Sequence, residues 1–179
     1  MYFKQKNKTA IQSQHMIADA LFCLLKRKPF AQITVTEICE EAAIGRKTFY
    51  RNFELREDVI EFQLDNMCVE YRQEIDGMPI EERLVHHFEY VKRNKEYFIL
   101  LYKNGFNEMV RDKFSILLPD TMPVWTEDVI EQEYRSAYII AGITEIGRVW
   151  ITRGCKESVE RVVEYAMRAQ DKQVPMIEV

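Results

Sequence analysis

The sequence predicts an all-α protein: a small N-terminal head of three helices, then an antiparallel helical bundle that brings the total to about nine helices. Three observations carry this. Apolar residues recur with a spacing near 3.6 along almost the whole chain. Turn formers are scarce, six glycines and five prolines in 179 residues, too few for a succession of short strands. The apolar stretches also begin and end on residues that start and stop helices. With 47% hydrophobic and 30% charged residues, the chain has the composition of one that buries a core.

The first helix is expected from Thr9 or Ile11 to Lys26, with Ala18, Leu21, Phe22 and Leu25 on one face. Lys26, Arg27 and Lys28 complement the negative end of its dipole, and Pro29 forbids continuation. In Ile33-Thr34-Val35-Thr36-Glu37-Ile38, Thr34 is an N-cap and Glu37 stands at N3, a capping box. Ile33 and Ile38 flank it as a hydrophobic staple. Val35, Ile38, Cys39 and Ala42 form the stripe of a second helix ending near Ala42. A tight turn, Ala43-Ile44-Gly45, leads to a short third helix from Arg46 to Phe53, with Phe49 and Phe53 inward. Glu57 and Asp58 favour a fourth helix start, and Asp76-Gly77-Met78-Pro79 ends that stretch. Further helices are expected over 80–93, 95–104 and 106–117. After a break between Pro119 and Pro123, a long helix is expected from Glu127 to Arg153, stopped by Gly154. A last one starts at Ser158, with Val159, Val162, Val163, Ala166 and Met167 on one face.

Two short helices joined by a tight turn, over residues 34–53, describe a helix-turn-helix reader of DNA. The second helix begins with Arg46, Lys47 and Thr48, and Arg51 lies one turn on. Cations at a helix start oppose its dipole, so packing gives no reason for them. In a major groove, Arg or Lys pairs with guanine and a Thr methyl touches thymine. Thr36, Tyr50 and Arg56 are placed to meet phosphates, which fix register without reading sequence, and Thr34 counts with them among the DNA-binding residues. The charge distribution agrees. Residues 1–53 hold nine Lys/Arg against four Asp/Glu, whereas the whole chain carries a net −4.

The run Phe30-Ala-Gln-Ile-Thr-Val-Thr-Glu-Ile, then Ala42-Ala43-Ile44-Gly45, Thr48-Phe49-Tyr50-Arg51-Asn52-Phe53 and Arg56-Glu57-Asp58-Val59-Ile60, resembles the N-terminal signature of the tetracycline-repressor (TetR) family. The resemblance covers residues 9 to about 60. It implies a DNA-binding head over 1–55 with Arg46 to Phe53 as recognition helix, Tyr50 as a phosphate-binding tyrosine and Arg56 in the place of a phosphate-binding lysine. It implies a regulatory and dimerisation domain over 56–172, leaving 173–179 as a flexible tail. The chain departs from the family pattern in its turn, Ala-Ala-Ile-Gly for the usual Ala-Gly-Val-Ser, and at Leu55, where a Ser or Asn normally caps the next helix.

Within the body, the stripe Tyr134, Ala137, Tyr138, Ala141, Gly142 mixes aromatic and small residues and so permits close helix approach. A homodimer is expected through Tyr138, Ala141, Gly142, Trp150, Val159, Val163 and Ala166. Phe98, Tyr102, Phe106, Met109, Phe114, Trp125 and Tyr134 are the candidate lining of a pocket for a small-molecule effector, although the same residue types build plain cores. The sequence reading is therefore a dimeric repressor released from operator DNA by a small molecule. Its alternative is a regulator controlled by a docked protein.

An enzyme is not expected, since no nucleophile elbow, phosphate loop or paired-carboxylate motif is present. No cofactor is expected. Cys23, Cys39, Cys68 and Cys155 are far apart without a CxxC pair, and His15, His86 and His87 fit no ligand frame, so no metal is expected either. No apolar run approaches the ~18 residues that span a bilayer, and the opening MYFKQKNK lacks a secretory apolar stretch, which makes the cytoplasm the expected location without membrane partners.

Overall fold

Asn7 opens the first helix by accepting the Thr9 amide at 2.9 Å, and α1 runs Lys8–Leu25. These and the following elements belong to a computed structural model, which describes residues 2–3, 7–117, 124 and 126–171. Pro29 then starts a single 3₁₀ turn, η1 (Phe30–Gln32), which the periodicity did not signal. The helices that follow are α2 (Val35–Glu41), α3 (Arg46–Asn52), α4 (Glu57–Ile75), α5 (Ile80–Arg93), α6 (Lys95–Lys103), α7 (Asn107–Leu117), α8 (Val129–Thr152) and α9 (Val159–Asp171). Among the described residues there are thus nine α-helices, and extended pairing is limited to one bridge between Tyr2 and Phe53. Every described helix lies within a few residues of its expected position. The expected break at 119–123, Trp125 and the tail at 173–179 fall outside the described residues.

The chain divides into two compact units, Met1–Val69 with Leu100–Met109, and Glu70–Ile99 with Val110–Val179. In the first, α1 packs on α2 and α3, which pack on each other. Ile17, Leu21, Ile33, Ile38, Phe49, Phe53, Ile60 and Leu64 are almost completely shielded and form its core. In the second, α5, α8 and α9 pack pairwise around Phe88, Ile143, Trp150, Val159, Val162 and Ala166. The Trp150 indole donates to the Glu157 carbonyl at 3.2 Å, satisfying its one polar atom.

Two helix ends show why the connections are tight. α2 closes with a Schellman cap: the Ile44 amide donates to Cys39 O at 2.9 Å and the Ala43 amide to Glu40 O at 3.1 Å. That motif needs a left-handed residue, and Ala43 supplies it at φ +51° where glycine is the unstrained choice. α6 ends in the same way, with Phe106 N on Leu101 O at 3.0 Å, Gly105 N on Tyr102 O at 3.3 Å, and Gly105 at φ +84°.

Candidate nucleic-acid interface

The capping box at the start of α2 is formed in full. Thr34 Oγ1 accepts the Glu37 amide at 3.2 Å, while Glu37 Oε2 accepts the Thr34 amide at 2.9 Å. Lys28 also binds Glu37, and with Thr34 it holds that carboxyl down to about 2. Glu41 is paired with Arg27 at 2.5 Å. The basic C-terminal end of α1 therefore neutralises two carboxylates of α2.

On α3, Phe49 and Asn52 face the core, and the Asn52 amide group donates back to Thr48 O at 2.8 Å. Arg46, Lys47, Tyr50 and Arg51 are exposed and Thr48 half-buried, as the 3.6 period requires once Phe49 is fixed inward. Among the described residues neither Arg46 nor Lys47 makes an ion pair. Tyr50 keeps 47% of its surface exposed while its ring edge rests on Phe49 at 5.4 Å. Thr34 and Thr36 are exposed at the neighbouring end of α2, though the Thr34 hydroxyl already donates to Glu37 at 2.9 Å.

Arg56 has a different placement from the one its position suggested. Its guanidinium donates to the Phe30 carbonyl at 3.2 Å and to the Ile33 carbonyl, and lies over the Phe30 ring at 4.8 Å. It braces η1 and the entry to α2 from the start of α4. Beside Leu55, which has no capping side chain, Asp58 Oδ2 accepts the backbone amides of Leu55 at 2.9 Å and Glu54 at 3.0 Å.

One contributor gave no signal in the sequence. The Phe3 amide donates to Asn52 O at 3.0 Å, Gln14 donates to Phe3 O at 2.8 Å, and the Tyr2 hydroxyl donates to Asp65 at 2.8 Å. This N-terminal strap ties the last turn of α3 to α1 and α4. A single bridge in a helical head has no periodicity to betray it.

The remaining expected residues separate. Phe98 is buried against Phe114 in the second unit, with ring centroids 5.9 Å apart, whereas Tyr102, Phe106 and Met109 group with the first. Tyr134 is 75% exposed on α8. Of these candidates, the described ring contacts bring together Phe98 and Phe114. Of the expected dimer residues, Tyr138, Ala141 and Gly142 are exposed on one face of α8. Trp150, Val159 and Ala166 are instead in the chain's own core, with Val163 packed against it, because α9 spends its apolar face on α5 and α8.

A family model described as a transcriptional regulator C-terminal region, TetR_C_8, matches residues 80–172. Among curated proteins none matches the sequence. Similar solved structures include a TetR transcriptional regulator from Streptococcus agalactiae, 20% identical over 93% of this chain and 98% of that one, with a TM-score of 0.71. The dihydroxyacetone kinase operon activator DhaS is 22% identical over 89% of this chain and 94% of that one, at 0.62. The fatty acid degradation regulator FadR from Bacillus halodurans is 16% identical over 96% of this chain and 99% of that one, at 0.61. At these identities the likeness is one of fold.

Proposed function

Because the chain belongs to the TetR family of transcriptional regulators, we propose that this DNA-binding regulator is a dimeric repressor, released from its operator by a small molecule bound in the regulatory region. The observation that carries the DNA reading is the outward face of α3, where Arg46 and Lys47 stand exposed without a carboxylate partner among the described residues. Unpaired cations at a helix start are unfavourable in isolation and become favourable against phosphates or guanine edges. Arg46, Lys47 and Thr48 read bases, Arg51, Tyr50 and Thr36 hold the backbone with Thr34 beside them, and Arg56 contributes by bracing η1.

Members of this family bind DNA and act as dimers, and the exposed Tyr138-Ala141-Gly142 face of α8 is the surface on which a second copy fits. No described helix is long and apolar enough to cross a membrane. The name of one structural relative contains the word activator, so the sign of regulation is itself part of the proposal.

Selection of binding sites from a random DNA pool tests the reading. A palindromic site is expected, bound tightly and with strong salt dependence. Arg46→Ala or Lys47→Ala should each cost about 1–3 kcal/mol and relax preference at one position. Enrichment of no sequence, or unaltered preference in both variants, would overturn the assignment of α3. A reporter driven by the selected site then distinguishes repression from activation.

A further inference from the structure

We propose that Asn104 and Phe106, in the turn between α6 and α7, are positioning residues of the DNA-binding head, acting through Phe30. The proposal rests on the reading of α2 and α3 as the DNA reader and adds to it the element that holds that reader in place.

Phe30 is gripped at three points. Its amide is the first of η1, and Pro29 supplies no side-chain cap. The acceptor comes instead from Asn104 Oδ1, at 2.7 Å and 74 residues away in sequence. Its ring meets the edge of Phe106 with centroids 4.9 Å apart at 85°. Its carbonyl and ring are taken by Arg56. Three residues on, Ile33 also gives its carbonyl to Arg56, and the next residue, Thr34, is the N-cap of α2. What fixes Phe30 therefore fixes the entry to the helix-turn-helix.

Asn104 is itself immobilised. Its Nδ2 donates to Leu100 O at 2.7 Å, so one end of the amide group is tied to α6 while the other reaches Phe30. The Schellman cap around Gly105 sets Phe106 at its closing position. Residues 100–109 group with the head, although α6 begins at Lys95 among residues of the other unit.

Hydrogen exchange on the full chain, with and without the selected operator duplex, tests this beside operator affinity. Asn104→Ala should speed exchange at Phe30, Gln32 and Ile33 and weaken operator binding about fivefold, the scale of one lost neutral hydrogen bond. Salt slope and base preference should stay unchanged, because no DNA contact is removed. Ile143→Val, a core change in the second unit, serves as a control for mere loss of stability and should do neither. By reciprocity, operator DNA should slow exchange at Asn104, Gly105 and Phe106 in the wild type and fail to do so in Asn104→Ala. Wild-type exchange at 30–33 in the variant, or faster exchange with wild-type affinity, overturns the proposal. If the wild type selects no DNA site, the DNA reading fails and takes the positioning role with it; exchange without DNA still scores the Asn104–Phe30 clamp, so the two failures are told apart.

Discussion

Lowering the pH from 7.5 to 5 should destabilise this protein through His87. Its ring is buried in α5, with Tyr71 at 5.9 Å, Phe88 at 5.4 Å and Phe114 at 6.0 Å between ring centroids, and Nδ1 has no hydrogen-bond partner among the described residues. Burial first, and the neighbouring His86 second, push its pKa from an ordinary 6.5 down to about 4. The folded state thus binds fewer protons than the unfolded one below pH 6.5, so its contribution is intact above that value and is lost as pH falls toward 4. The full shift corresponds to roughly 3 kcal/mol, of which about 2 kcal/mol should be gone at pH 5. Urea unfolding between pH 7.5 and 4.5, compared for wild type and His87→Leu, isolates the term, since every other titrating group is common to both. The wild type should lose about 2 kcal/mol more than the variant between pH 7.5 and 5. At pH 7.5 the variant should be little affected, because leucine removes an unsatisfied nitrogen while keeping an apolar side chain there. Parallel pH profiles would refute the reasoning, showing that His87 takes up its proton as readily in the folded chain as in the unfolded one.

Ala43→Gly should stabilise the head by about 0.5–1 kcal/mol, since it relieves the left-handed strain at φ +51° minus the added freedom of the unfolded chain; thermal unfolding measures it, and a lower melting temperature would contradict it. Arg56→Ala should cost about 2 kcal/mol of stability through two lost charge-assisted hydrogen bonds while leaving the salt slope of operator binding unchanged; a shallower slope would return this side chain to a phosphate. Gly142→Arg should leave the monomer folded, because a Cβ there meets nothing within 4 Å, yet shift sedimentation toward the monomer; an unchanged dimer would move the interface elsewhere.

The sequence was most informative where the physics is local. A capping box needs only Thr34 and Glu37 three residues apart, and both halves of it form. The ends of α5 at 80 and 93 follow from Pro79 and from an apolar stripe that runs out before Asn94. Even the departures from the family pattern were visible as such: Ala43 occupies the left-handed position, and Leu55 is a cap without a capping side chain. What the sequence could not show is who answers such departures. Asp58 accepts the amides near Leu55, Asn104 caps Phe30 from 74 residues away, and Arg56 turns inward to two carbonyls. Each is a polar group whose partner is set by the packed chain, and nothing in its neighbours' identities names that partner.

The same limit explains the division of the expected dimer residues. An apolar stripe states that a face is buried, without saying against what. On α9 the stripe of Val159, Val162 and Ala166 is satisfied within the chain by α5 and α8. On α8 there are two faces to account for. Ser136, Ile140, Ile143, Gly147, Trp150 and Ile151 turn inward, and they are enough to dock the helix. Tyr134 and Tyr138 stand 75% and 63% exposed on the opposite side, with Ala141 and Gly142 beyond them. Two large aromatic rings next to two of the smallest residues on a solvent face gain nothing for a monomer. The dimer proposed above would set these rings on the small residues of a partner helix, where two copies of one helix cross about a two-fold axis. The residues that separate the two roles are thus the glycine and alanine of α8, and the proposed interface narrows to that face.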